Sequence, residues 1–232
     1  MTLKVLGSES AGNCYLLESD AECLIIEAGI RLPELKKALN YDLSKVVGCL
    51  ISHAHGDHCK YAMDYLKTGI NIFASKETIA EAGLSGHRVF RFFDNLFSLG
   101  SFNIKCFPVP HSVPTVGFLI HHPFAGAIFF ATDAAYIPNR FIELNHILIE
   151  ANYDDAILTS DRAVGRHMSI DTCIGFLRAN DRRYIRNIVL LHLSNRNSDA
   201  EMFAKSVQTV APNASVWIAD KGLELYLSKH PF

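Results

Sequence analysis

The chain has 232 residues, 49% of them hydrophobic and 20% charged, with 22 lysines and arginines set against 24 aspartates and glutamates. That length sustains one sizeable core, and a near-neutral charge excludes a broadly basic nucleic-acid coat, so a nucleic-acid substrate would have to be held by a local patch. The opening "MTLKVLGSES" lacks the apolar stretch of a secretory leader and no segment reaches the roughly 18 apolar residues of a membrane span, so a cytoplasmic protein without membrane contact is expected.

Runs rich in Val, Ile, Leu and Phe, bounded by Gly, Pro, Asn or Asp, predict strands at 3–6, 14–18, 23–27, 46–52, 70–74, 102–107, 116–121, 127–131, 147–150, 188–191, 216–218 and 223–227. Helical periodicity predicts helices at 32–40, 59–67, 76–82, 170–179 and 199–210, with Ser169 as the N-cap of the fourth. The first three strands read as an antiparallel meander, which argues against a doubly wound parallel sheet. Two groups of strands with interspersed helices point to an α/β sandwich of two sheets covered by helices. No Pro/Gly/Ser-rich linker interrupts the chain, so residues 1–232 are expected to form a single domain.

Six cysteines are scattered without a CxxC pair, mostly inside apolar runs where a reduced thiol packs as a small hydrophobe. Cys59, beside His58, is the one cysteine close to a candidate metal ligand.

That ligand set is "HAHGDH", residues 53–58, directly after the apolar run "VVGCLIS". A run buried on both faces ends in a loop here, and His53 and His55, two apart in extended backbone, point the same way. Ala54 and Gly56 leave room for ions, whereas Asp57 and His58 are adjacent and must diverge. Two ions sharing the cluster is therefore the economical reading. Burying these side chains without partners would cost roughly 2–7 kcal/mol per polar group. The i,i+4 pair of a helical HExxH site is absent, which disfavours zincin-type chemistry. Further ligands are expected at strand ends: His111 follows "NIKCFPVP", Asp133 follows "AIFFAT" and His192 follows "NIVLL".

HAHGDH resembles the HxHxDH motif of the metallo-β-lactamase superfamily, and His111, Asp133 and His192 follow in that superfamily's order. The resemblance implies a four-layer αβ/βα sandwich of two mixed sheets flanked by helices. It also implies that His53, His55 and His111 bind one ion, that Asp57, His58 and His192 bind the second, and that Asp133 bridges both. "GSESAGNCYLL", "LIEANYD", "GRHMSID" and "LLHLSNRNSD" look like the WalJ/YycJ-type group, small relatives of ribonuclease Z that act as metal-dependent phosphodiesterases or exonucleases. In that likeness Glu150 and His167 form a pair near the scissile phosphate. Two departures stand out: Arg166 interrupts the Gly–His spacing, and Glu27 stands where the superfamily has Asp in an early "DAG" turn.

The expected chemistry uses two divalent ions, zinc first, with manganese or iron as alternatives. Ions about 3.5–4 Å apart would activate a water between them, with Asp57 accepting its proton or orienting the hydroxide. His167, oriented by Glu150, would protonate the leaving oxygen, and Arg166, Ser194 and Asn195 would contact phosphate. Arg162 and the cluster Arg178, Arg182, Arg183 and Arg186 are further candidates for substrate grip. A DNA or RNA exonuclease is the leading reading. A small-ester or thioester hydrolase of the lactonase or glyoxalase type, or a metal-binding regulatory protein without catalysis, remains open from sequence.

Overall fold

The computed structural model describes residues 1–92, 96–156 and 165–230. The elements run β1 (Thr2–Glu9), β2 (Gly12–Glu18), β3 (Cys23–Ile26), α1 (Leu32–Ala38), β4 (Val46–Leu50), α2 (Gly56–Cys59), α3 (Ala62–Lys67), β5 (Ile72–Ala74), α4 (Lys76–Glu81), β6 (Val89–Arg91) and β7 (Leu96–Leu99). They continue with β8 (Phe102–Val109), β9 (Thr115–His122), β10 (Gly126–Ala131), β11 (Leu144–Glu150), α5 (Ile170–Ala179), β12 (Asn187–Leu191), α6 (Ala200–Val210), β13 (Ser215–Ile218) and β14 (Glu224–Tyr226).

Two seven-stranded sheets result, ordered β14-β1-β2-β3-β4-β5-β6 and β13-β12-β11-β10-β9-β8-β7. Both are mixed. The first begins as the expected meander, with β1, β2 and β3 antiparallel, and becomes parallel through β4, β5 and β6. The second is antiparallel where β9 meets β10 and parallel across β10, β11, β12 and β13. The parallel strands bring their carboxyl ends to one edge of each sheet, which is where the candidate ligands lie in sequence.

The chain divides into two compact units, one of Met1–Lys105 with Asp220–Tyr226, the other of Cys106–Ala219 with the residues from Leu227 onward. In the first, Cys14, Leu16, Ile25, Cys49 and Ile72 pack with Leu35, Leu39, Ala62 and Tyr65, so α1 and α3 cover one face of the first sheet. In the second, Phe129, Ile147, Ile149, Ile188 and Leu190 pack with Cys173, Leu177, Phe203 and Val207, so α5 and α6 cover that sheet. Residues of opposite parity, such as Tyr15, Leu17, Leu148 and Val189, are fully buried too. This burial on both faces is why these strands read as continuous apolar runs.

Helix α5 has the predicted bounds, and Ser169 caps it by accepting from the Thr172 amide at 3.2 Å. The helix predicted at 59–67 is two helices instead. The Tyr61 amide donates to Ala28 O at 2.9 Å, ties the chain to the end of β3, and breaks the helical ladder. Strands β6 and β7 are additional to the predicted set; at three and four residues they are too short for alternation to register. All six cysteines are free and buried. Burial pushes the Cys59 thiol up to about 11, and its Sγ faces Ala54 O at 3.2 Å. No helix among the described residues is long and apolar enough to cross a membrane.

Candidate metal centre

In the first unit, β4 ends and delivers His53 and His55 with their nitrogens convergent: His53 Nε2 lies 3.1 Å from His55 Nδ1. Two donors each about 2.0–2.1 Å from one ion stand roughly 3.0–3.4 Å apart, so this spacing suits an edge of a coordination shell. His53 is fully buried, and its other nitrogen faces Ser52 Oγ at 2.9 Å, which fixes the ring. His58 is arranged likewise. Its Nε2 lies 3.2 Å from Asp57 Oδ2, and its Nδ1 lies 3.6 Å from Glu27 Oε1. Glu27, the departure from the superfamily's Asp, is wholly buried at φ 69° and also accepts the Ser52 amide at 3.3 Å. The longer side chain still supplies a carboxylate beside His58.

The loop carrying this set is clamped against the end of β3. Ala28 N donates to His58 O at 2.7 Å, and Gly29 sits so close that a Cβ there would lie 1.7 Å from Asp57 O. Gly29→Ala must therefore push the Asp57 backbone aside. It is expected to destabilise the protein by about 1–3 kcal/mol or more, read as a lower urea midpoint with the slope unchanged; an unaltered midpoint would show that the loop yields freely.

In the second unit, three strand ends supply a second set. His111 donates from Nδ1 to Arg166 O at 2.6 Å, leaving Nε2 turned toward Asp133 Oδ2 at 3.6 Å. Asp133 follows β10 and His192 follows β12, both with left-handed backbone (φ 49° and 53°), an unusual conformation for non-glycine residues and one that concentrates at functional sites. His192 Nδ1 lies 3.3 Å from Asp133 Oδ1 and also 3.3 Å from Glu150 Oε1. Asn152 holds the His192 loop, donating from Nδ2 to His192 O at 2.6 Å.

Glu150, at the end of β11, is fully buried and satisfied: Oε1 accepts from His167 Nδ1 at 2.7 Å, and Oε2 accepts from Ala134 N at 2.8 Å and Met168 N at 3.3 Å. Although Asp133, Glu150, His167 and His192 bring ligand atoms within 4.8 Å of one another, both Glu150 oxygens are already engaged by N–H donors, so it serves as an anchor. The His167 ring, 22% exposed, lies 5.5 Å from the ring of His111 and 5.4 Å from that of His192. Burial pulls its pKa down, but the Glu150 hydrogen bond and the charges of Glu150 and Asp133 outweigh this and raise it.

The expected phosphate contacts fare differently. Arg166 is exposed, and its carbonyl orients His111. Ser194 Oγ accepts from Asn197 N at 3.2 Å within a turn, and Asn195 is exposed on that turn. Arg182 donates to Leu177 O and Arg183 pairs with Asp181, at the far end of α5 from Ser169. Ten helical residues, about 15 Å, separate that cluster from His167. Arg162 lies outside the described residues.

The histidines and carboxylates of both sets are donors whose chemistry suits a divalent ion. Residues 7–116 match the family model of the metallo-beta-lactamase superfamily. The structure of the metallo-beta-lactamase fold protein YhfI from Bacillus subtilis superposes with a TM-score of 0.77 at 18% identity, covering 97% of this chain and 98% of that one. With two mixed sheets, flanking helices and these histidine–aspartate clusters, the chain has the metallo-β-lactamase fold, and just under half of it matches that superfamily's family model. The chain is distantly similar to "Exodeoxyribonuclease WalJ" of Streptococcus pneumoniae, 25% identical over 227 residues that span 85% of this chain and 83% of the relative. "Exodeoxyribonuclease YycJ" of Bacillus anthracis is 24% identical over 233 residues, covering 89% and 87%.

Proposed function

We propose that this chain is a two-ion phosphodiester hydrolase acting as an exonuclease on DNA. The observation that carries the reading is the pair formed by buried Glu150 and half-buried His167, 2.7 Å apart and beside two candidate ligands. Ester or lactone hydrolysis on the same ligand set requires no such pair, whereas expelling an alkoxide from phosphorus benefits from an acid at the leaving oxygen. The distant similarity to exodeoxyribonucleases supports the choice of DNA.

In this reading His53, His55 and His111 would hold one ion, Asp57, His58 and His192 would hold the other, and Asp133 would be a ligand available to either. Ions held there would lower the pKa of water and offset charge on the phosphoryl oxygens. Asp57 takes up or directs the proton of the attacking water. His167, with Nδ1 on Glu150, presents Nε2 to the leaving oxygen. The exposed Arg166 guanidinium and the Ser194–Asn195 turn contact flanking phosphates.

The zinc- or manganese-loaded protein is expected to hydrolyse bis-(p-nitrophenyl) phosphate and to leave a simple lactone intact. Turnover of the lactone alone would overturn the phosphodiesterase reading in favour of a small-ester hydrolase.

A further inference from the structure

Asn13 precedes the apolar run Cys14–Leu17 of β2 and is fully buried, where an unsatisfied carboxamide would be costly. Its Nδ2 has four acceptor atoms around it: Glu9 O at 3.2 Å, Asp57 Oδ2 at 3.2 Å, Asp57 O at 3.5 Å and His58 Nε2 at 3.1 Å. Its Oδ1 faces the Tyr15 hydroxyl at 3.3 Å, and that hydroxyl donates to Ser8 Oγ at 2.7 Å. Rotating the amide by half a turn would set an oxygen against two carbonyls and a carboxylate, so this orientation is fixed by polarity. The main chain of Asn13 is held as well, its carbonyl accepting from Gly29 N at 2.9 Å.

Two N–H bonds must serve these acceptors. One satisfies Glu9 O at the end of β1. The other is shared between Asp57 Oδ2 and His58 Nε2, the two atoms that the proposed function, on which this inference rests, turns toward one ion. With the His58 lone pair engaged by that ion, the second N–H belongs to Asp57 alone. We propose that Asn13 is a positioning residue for this ion: it donates to the Asp57 carboxylate, fixes which way Oδ2 points, and so sets the affinity of the Asp57–His58 subsite without ligating the metal itself. No contact of Asn13 reaches His53 or His55 among those described, so the effect is confined to one of the two ions.

The test is calorimetric titration of metal-free protein with zinc, for wild type and Asn13→Leu. Leucine approximates the shape of asparagine and adds neither charge nor ligand. Wild type is expected to take up two ions; the variant should bind one normally and the other about 10–100-fold more weakly, the usual cost of losing an outer hydrogen-bond partner. The metal-free variant should keep the wild-type circular dichroism. Unchanged affinity for both ions overturns the assignment, as does parallel weakening of both with a lowered melting temperature, which marks a purely structural role. A wild type that takes up no zinc removes the metal-centre reading and this inference with it. Should the variant fail to fold, the side-chain amide signal of Asn13 in ¹⁵N-labelled wild type decides: it should shift in one of the two zinc-binding steps, and a signal that is still through both overturns the proposal.

Discussion

Asp133→Asn is expected to abolish hydrolysis of phosphodiesters and to leave the protein folded with depleted metal. Asp133 is the carboxylate facing two candidate ligands of its unit, His111 Nε2 at 3.6 Å and His192 Nδ1 at 3.3 Å. Its backbone is left-handed, which asparagine tolerates and alanine does not, so the asparagine variant removes charge without adding strain. Loss of an outer hydrogen-bond partner costs about 10–100-fold in metal affinity or activity; loss of a shared ligand should exceed that, about 1,000-fold or more in turnover. Elemental analysis after dialysis, alongside circular dichroism, checks it. Wild-type metal content and turnover would remove Asp133 from the centre.

His167→Ala is expected to separate binding from chemistry. Metal content should stay at the wild-type level, because Asp133, His111 and His192 keep their contacts with one another, while turnover falls about 100- to 10,000-fold, the range of a lost general acid. The pH profile carries the mechanism further. An acid must be protonated to act, so kcat should fall as pH rises through the His167 pKa. Glu150 and Asp133 raise that pKa against the pull of burial. Glu150→Gln removes the leading raising contribution and leaves the burial, so the alkaline limb should move to lower pH, and in His167→Ala that limb should vanish. A limb that stays in place in both variants assigns the titration to another group.

Much of this architecture was legible in the sequence because it depends on burial. "VVGCLIS", "AIFFAT" and "NIVLL" are apolar throughout because β4, β10 and β12 are covered on both faces, and a histidine or aspartate just after such a run has few structural reasons to be there. What stayed hidden depends on long-range pairing. That Arg166 contributes a carbonyl to His111 has no sequence signature, since every residue has a carbonyl. The left-handed backbone at Asp133 and His192 is likewise invisible in their identities. The arginines of "RANDRRYIR" looked available for phosphate until the direction of α5 placed them at its opposite end. Asn13 did leave a signal, a carboxamide inside "GNCYLLE", but only its contacts across 44 and 45 positions give it meaning.

The most direct test of the two-ion hydrolase is single-stranded DNA digestion by protein stripped with a chelator and then titrated with zinc or manganese, the bound metal being counted at each step. Hydrolysis should be absent from the stripped protein, rise as metal is returned, and reach its plateau at two ions per chain, releasing nucleotides from an end. Undiminished digestion by the stripped protein, or a fully loaded protein that leaves DNA and bis-(p-nitrophenyl) phosphate intact, would contradict it.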